Sequence, residues 1–275
     1  MQKVVKTPRP FLKWAGGKSK VYPHISGLLP SGKITYFEPF VGAGSVFFAL
    51  YRENRIKKAY LNDLNLDLIN AYKVLKDKPE VLIQELESSN YSNNFENFMR
   101  VRSLNPQTLS SVESAARFIY LNKTCFNGLF RVNKSGAFNV PYGKYKNPVI
   151  LDRNNFMSVS EALQCATITS IDFELATINA KKGEVVYFDP PYIPMTGSNF
   201  TEYTKDGFSL EDHRRLAGHF QNLVKNDVHC VLSNSASSLA YELYLNNKVQ
   251  TLHGPTSIGG SADSRKSVKE ILVTA

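Results

Sequence analysis

Acids are in short supply in this 275-residue chain: 24 Asp and Glu face 33 Lys and Arg, leaving a formal charge of +9. An excess of cation suits a polyanionic partner, because lysine and arginine neutralise phosphates and release their counterions. On charge alone, a soluble protein that is merely basic fits as well. Cysteine is also scarce, with Cys125, Cys165 and Cys230 and no CxxC pair. That odd, scattered set argues against a disulfide framework or a zinc cluster, and no metal is expected. No long apolar run occurs, and Pro8 and Pro10 interrupt the basic start made by Lys3, Lys6 and Arg9. The expectation is therefore no signal peptide, no membrane partner and a reducing, cytoplasmic setting. Missing too are a GxGxxG turn and a P-loop lysine, which makes NAD and ATP poor fits and a nucleotide-binding oxidoreductase a weak rival.

What is present favours a packed α/β protein: 43% hydrophobic and 21% charged residues, at a length that suits one large domain carrying an insertion. Ile34–Glu38 reads as a buried strand, Pro39–Gly44 as a glycine turn, and Ser45–Tyr51 as a helix that Ser45 can cap. Lys58–Asn62 reads as the next strand and Leu66–Lys76 as a helix, completing a βαβ unit. The middle of the chain starts with helical stretches at Pro79–Ser88 and Val112–Asn122. It then turns aromatic, with a hairpin across Asn133-Lys134-Ser135 in which Gly136 accepts a positive φ. Tyr145–Pro148 and Asn154–Asn155 read as loop. Glu184–Phe188 is a strongly apolar strand, Leu210–Lys225 a helix, and Val228–Leu232 and Val268–Thr274 further strands. Their lack of polar alternation implies helices on both sheet faces.

Two motifs carry chemistry. In Phe37-Glu38-Pro39-Phe40-Val41-Gly42-Ala43-Gly44, Gly42 and Gly44 allow close backbone approach where a strand turns into a helix. Asp63 follows nineteen residues after Gly44 at the end of the next strand, placed to accept from a ribose. A tight turn beside a solvated acid would look the same. The second motif, Asp189-Pro190-Pro191-Tyr192, follows an apolar strand and so sits at the carboxyl edge of the sheet, where open α/β folds bind ligands. Neither proline has an N–H, so the Asp189 carboxylate and the Pro190 carbonyl can both face outward as acceptors. Two acceptors suit an aromatic NH₂ group. Drawing its hydrogens out of the ring plane localises the nitrogen lone pair, and Tyr192 offers a face for an extruded base. An ordinary strand-ending turn is the alternative.

From Ser114 through Leu151 there is no acid. Arg117, Lys123, Arg131, Lys134, Lys144 and Lys146 lie among Phe118, Tyr120, Phe126, Phe130, Phe138, Tyr142 and Tyr145, a pattern that suits a DNA surface. Arg131, beside the hairpin turn, can pair bidentately with guanine O6 and N7. Lys123, Lys134, Lys144 and Lys146 are expected at phosphates, with Asn133 and Asn139 as weaker candidates. Ile193–Phe208 is expected to order on substrate, with Phe200 or Tyr203 over the base, and Ser257–Lys266 to add a basic contact.

Phe11-Leu12-Lys13-Trp14-Ala15-Gly16-Gly17-Lys18, the Glu38–Gly44 turn, Asp63, Phe126–Asn133, Phe138–Gly143 and Asp189–Tyr192 stand in the order seen in Dam-type (D12 class, alpha group) DNA adenine methyltransferases. The chain resembles them over nearly its whole length, most of all the adenine methylases of GATC restriction-modification systems. The resemblance implies a class I S-adenosylmethionine-dependent methyltransferase, an α/β Rossmann-like doubly wound sheet. The catalytic domain would be 1–76 with 179–275, and 77–178 an inserted target-recognition domain. It implies S-adenosylmethionine held by Trp14, Lys18, Glu38, Phe40, Gly42, Gly44, Asp63 and Asp189, with catalysis by Asp189, Pro190 and Tyr192. On the residues alone Trp14 also fits a core anchor. Double-stranded DNA would be met by Lys13, Arg131, Asn133, Lys134, Asn139, Pro141 and Lys144, with a restriction endonuclease for the same site as possible partner. Cytosine C5 transfer needs a cysteine after proline, whereas Thr124, Gln164 and His229 precede these three. Cytosine N4 transfer, usually with serine at the place of Asp189, stays open, as does a non-catalytic DNA-binding module, which Lys18, Asp63 and Asp189 argue against.

Overall fold

The computed structural model of the chain describes residues 7–133, 136–194, 207–254 and 268–275. In chain order its elements begin with α1 (Tyr22–Leu28), β1 (Ile34–Glu38), α2 (Ser45–Arg52), β2 (Ile56–Asn62), α3 (Leu66–Asp77) and α4 (Pro79–Glu87). Next come α5 (Phe95–Ser103), α6 (Ser111–Thr124), α7 (Arg153–Leu163), β3 (Ala166–Thr169), α8 (Phe173–Thr177) and β4 (Val185–Phe188). The chain ends with α9 (Leu210–Lys225), β5 (His229–Ser235), α10 (Ser238–Leu243), β6 (Lys248–Gly254) and β7 (Val268–Thr274). It packs as two compact units, Met1–Tyr22 with Val41–Ile171 and Pro23–Phe40 with Asp172–Ala275.

The first unit is mostly helical. Its strands β2 and β3 run parallel, Ala59 opposite Ala166 through Asn62 opposite Thr169. Helix α3 buries Leu68, Ala71, Tyr72 and Leu75, and it packs on α6 and α7. The ends of these helices are set by side chains that satisfy orphan N–H groups. Asn65 caps α3 at Leu68 N (3.0 Å), and Ser110 and Glu113 form a reciprocal capping box on α6. Two expectations fail here. Asn154–Asn155 is the first turn of α7 rather than loop, because Asp152 accepts from Asn155 N at 3.0 Å and Phe156, Val159 and Leu163 bury one face. Ser45 does not cap α2; the cap is Gly44 in the left-handed conformation (φ 69°), with no side-chain bond.

In the second unit the strand order is β1-β4-β5-β7-β6. β4 runs parallel to β1 on one side and to β5 on the other, while β7 is antiparallel to both β5 and β6. All four residues of β4 are buried, as its unbroken apolar run predicts. Among the described residues the strands, with β2 and β3, number seven, and the fold is the expected Rossmann-like class I α/β architecture. Helix α9 is an amphipathic element closed at its start by a Ser209–Asp212 capping box and buries Leu216, Phe220 and Leu223. The strands β3 and β6 and the helices α5, α8 and α10 were not legible as elements, because each is short or polar.

Candidate active site

In the second unit, Asp189 directly follows β4, so its position is set by a strand locked between two parallel neighbours. The turn that follows is gripped from β5. Asn234 Oδ1 accepts from the backbone N–H of Ile193 at 3.1 Å, and the Ser235 hydroxyl donates to the Ile193 carbonyl at 2.5 Å. The Tyr192 phenol donates to the Glu270 carboxylate of β7. Around Asp189 lie three phenols and two more carboxylates. Tyr187 hydrogen-bonds Ser233 at 2.6 Å and, like Tyr36, is fully buried, and Glu38 is buried beside Tyr36. Burial first, and the neighbouring Asp189 next, push the Tyr187 and Tyr192 phenols well above their ordinary range, with Glu270 adding to both. They remain neutral donors. Such a corner, acidic and largely shielded from water, favours a group that gains positive charge during reaction.

Asn234, Ser235 and Glu270 went unnoticed in the sequence. Their signals were a polar Ser233-Asn234-Ser235 triplet ending an apolar strand and a single acid inside Val268–Thr274. Phe40 packs on Phe173 and Phe208, with ring centroids 5.6 Å away in each case, so it is tied into an aromatic cluster.

The first unit holds the glycine turn and its acid. Asp63 accepts from Gly42 N at 3.1 Å and from Asn65 N at 3.0 Å, so the acid and the turn are one assembly. Burial raises the Asp63 carboxyl, and these two N–H groups partly offset it. The Trp14 indole lies on Gly42: a Cβ there would come within 2.8 Å of Trp14 Cδ1. At Gly44 a Cβ would meet the Tyr72 hydroxyl at 2.7 Å, and both glycines have positive φ. Lys18 is buried, with Nζ donating to the Gly16 carbonyl at 2.7 Å. These residues fit S-adenosylmethionine. Their chemistry is compatible with it: an indole can face a cation or a ring, an ammonium can pair with a carboxylate, and a carboxylate can accept from a ribose diol.

Residues 14–257 match the family described as D12 class N6 adenine-specific DNA methyltransferase. The chain belongs to that family. It is 44% identical over 273 residues to a type II methyltransferase of Lactococcus lactis subsp. cremoris, covering 97% of this chain and 95% of that one. A type II methyltransferase of Methanocaldococcus jannaschii is 40% identical, with 96% and 98% covered. The DNA adenine methylase of Salmonella typhi is 35% identical, with 98% and 95% covered. The protein is thus an adenine-specific DNA methyltransferase of a class that depends on S-adenosylmethionine, which replaces the cytosine N4 and non-catalytic alternatives.

Of the residues expected to meet DNA in this methyltransferase, Lys13, Arg131, Asn133, Asn139, Pro141 and Lys144 lie in the first unit. The hairpin forms as anticipated, with a Val132–Phe138 bridge, Gly136 at φ 79° and Asn133 accepting from Ala137 N at 2.9 Å. Arg131 is exposed, and its Nε donates to Asn139 Oδ1 at 2.7 Å and its Nη2 to the Asn139 carbonyl at 3.4 Å. Lys13 lies 4.1 Å from the centroid of the Tyr145 ring and donates to the Lys123 carbonyl at 3.3 Å. The Pro141 carbonyl accepts from Phe126 N, and Lys144 is exposed with φ 53°. Burial, and then Lys13, lower the Lys123 ammonium to about 8.

Part of the basic, aromatic stretch faces inward. Arg117 is 3% exposed and donates to the Val101 and Arg102 carbonyls, so it braces α5 against α6 rather than meeting DNA. Phe118, Tyr120 and Phe138 are buried, and Phe118, Phe130 and Phe138 stack under the hairpin, whereas Phe126 stays exposed. Charge pattern alone does not report side-chain direction. Lys134, the segment with Thr196 to Tyr203, and 257–266 lie outside the described residues. Among the described residues no helix is long and apolar enough to cross a membrane.

Proposed function

We propose that this enzyme methylates N6 of adenine in double-stranded GATC, after turning the adenine out of the helix. The observation that carries this reading is the clamped Asp189–Tyr192 turn at the end of a buried strand. Asp189 and the Pro190 carbonyl accept the two N6 hydrogens and hold the amine with its lone pair toward the methyl donor. Tyr192 stacks on the base, which offsets the few kcal/mol spent on unstacking and unpairing. S-adenosylmethionine supplies an electrophilic methyl group. Trp14, Gly42, Gly44 and Asp63 bind its adenosine side and Lys18 its carboxylate; Glu38 and Phe40 support the turn. Direct displacement needs positioning rather than a covalent intermediate. The cysteines agree with that, since burial raises Cys125 to about 11 and Cys230 to about 12, where neither is a nucleophile at neutral pH. The N6 proton leaves after transfer, so Asp189 acts as an acceptor and not as a strong base.

Residues 77–178 serve as the target-recognition region and 1–76 with 179–275 as the catalytic region. Arg131 reads guanine, Lys13 reads the flanking guanine, and Asn133, Lys134, Asn139, Pro141 and Lys144 fix the register on the backbone. Two of the relatives are named type II methyltransferases. We therefore assign this enzyme a cytoplasmic role beside an endonuclease of the same specificity. The test is methylation of GATC and scrambled duplexes, read by protection from a methyl-sensitive nuclease and by separation of the labelled nucleosides. N6-methyladenine in the GATC duplex alone is the expected result; equal labelling of both duplexes overturns the GATC assignment.

A further inference from the structure

The main chain and the side chain of the catalytic turn are held by different means. Asn234 and Ser235 fix the Ile193 peptide from β5, a hold on the main chain just after the turn that does not act on the Tyr192 side chain. A ring that must present one face to a base needs a partner at its far end. That partner is Glu270, whose carboxylate accepts from the Tyr192 hydroxyl. Glu270 pairs with Ser235 in the β5–β7 ladder, so one rung of the sheet holds both the peptide after the turn and the aromatic side chain within it. The placement is specific: the three residues that follow, Ile271, Leu272 and Val273, are fully buried and apolar.

We propose that Glu270 is a positioning residue for methyl transfer, orienting the Tyr192 ring through a carboxylate–phenol bond so that the ring meets the extruded adenine in one pose. This rests on the reading that Tyr192 stacks on the target base. A carboxylate is the stronger choice of acceptor, because a charge-assisted bond is shorter and stiffer than a neutral one. Burial and the nearby acids keep the Tyr192 phenol protonated, so the bond persists across the neutral pH range. A purely structural role predicts otherwise. Removing one partner leaves the other without its bond, whereas replacing both by apolar groups is commonly neutral for the fold, so the Leu–Phe double variant separates stability from turnover.

The experiment compares Glu270→Gln, Glu270→Leu, Tyr192→Phe, the Leu–Phe double variant and Tyr192→Ala in the full-length enzyme. It reads single-turnover rate, KM for S-adenosylmethionine, melting temperature and 2-aminopurine fluorescence at the target base. Glu270→Leu and Tyr192→Phe should each slow transfer about tenfold through loss of orientation, and the double variant no further. KM for the methyl donor should hold in all variants, melting temperature should hold in the double variant, and Glu270→Gln, which keeps an acceptor, should stay within about twofold of the parent. Full activity in Tyr192→Phe, additive losses in the double variant, or a Gln variant as slow as the Leu variant would each overturn the proposal. Should Glu270→Leu fail to fold, Tyr192→Phe deletes the same bond from its other end. If Tyr192→Ala is slow while Tyr192→Phe and Glu270→Leu are not, only the role of Glu270 falls; if Tyr192→Ala is fully active, the stacking reading falls first.

Discussion

Asp189 ends a strand with four buried residues, and the turn beyond it is tied down by Asn234, Ser235 and Glu270. Arg131 stands on an exposed hairpin closed by a few turn bonds, and among the described residues Asn139 is the one that hydrogen-bonds its guanidinium. The difference follows from the role proposed for each. Orienting an amine for displacement needs acceptors that do not reorganise, in a place of low dielectric where each contact is strong. Reading a base edge needs side chains that reach out of the fold, so the supporting shell is thin and solvent competes. On the proposed roles, rigidity is concentrated where bonds would change and spared where a partner would be met.

The contrast breaks first at Asp189. Asp189→Ala should lower single-turnover methylation at least about a thousandfold, since the amine loses its charged acceptor, while DNA affinity by gel shift stays within about twofold. Comparable activity in the variant would remove the corner from the mechanism. Arg131→Ala should weaken cognate DNA by about 1–3 kcal/mol and flatten discrimination at one guanine, with little change in the rate at saturation. Binding titrations against duplexes substituted at each base would show this; equal loss on all sequences would make Arg131 a phosphate contact.

A smaller effect is expected at Gly42→Ala. The new Cβ would approach Trp14 within 2.8 Å at a φ of +47°, a conformation that costs an L residue about 1–2 kcal/mol. Calorimetric titration should show weaker S-adenosylmethionine binding, with DNA affinity unchanged. The least effect belongs to Lys123, whose ammonium is lowered to about 8 by burial and Lys13. A phosphate prefers the charged form, so DNA affinity should fall as pH rises from 7 to 9, and Lys123→Met should abolish that dependence and reduce the salt slope by about 1. The sign for folding is opposite. Between about 8 and the unfolded value near 10.4 the unfolded chain binds the extra proton, so Lys123 makes stability rise with pH across that window.

Much of the local structure around the proposed catalytic machinery was legible because it is local in the chain. A strand, a glycine turn and a helix can be read from Ile34 to Arg52, and Asp189–Tyr192 announces itself by two prolines after Glu184–Phe188. The surface proposed for DNA was legible only in part. Arg131 and the hairpin came from turn chemistry at Asn133 and Gly136, but Arg117 was counted with the exposed cations although α6 turns it inward to the Val101 and Arg102 carbonyls. Spacing in a helix without a clear apolar stripe does not say which face is buried, and Ala115 through Asn122 are all buried.

The amino-acid sequence by itself determined the chemistry: an acceptor pair at a strand end, a glycine turn with an acid downstream, and an excess of cation. Those features depend on neighbours a few residues apart and on backbone geometry that proline and glycine impose. Tertiary structure alone decided which groups hold the catalytic turn, since Asn234, Ser235 and Glu270 lie 41, 42 and 78 residues from their partners. Strand pairing brings them together, and pairing register is a property of the whole sheet rather than of any one segment.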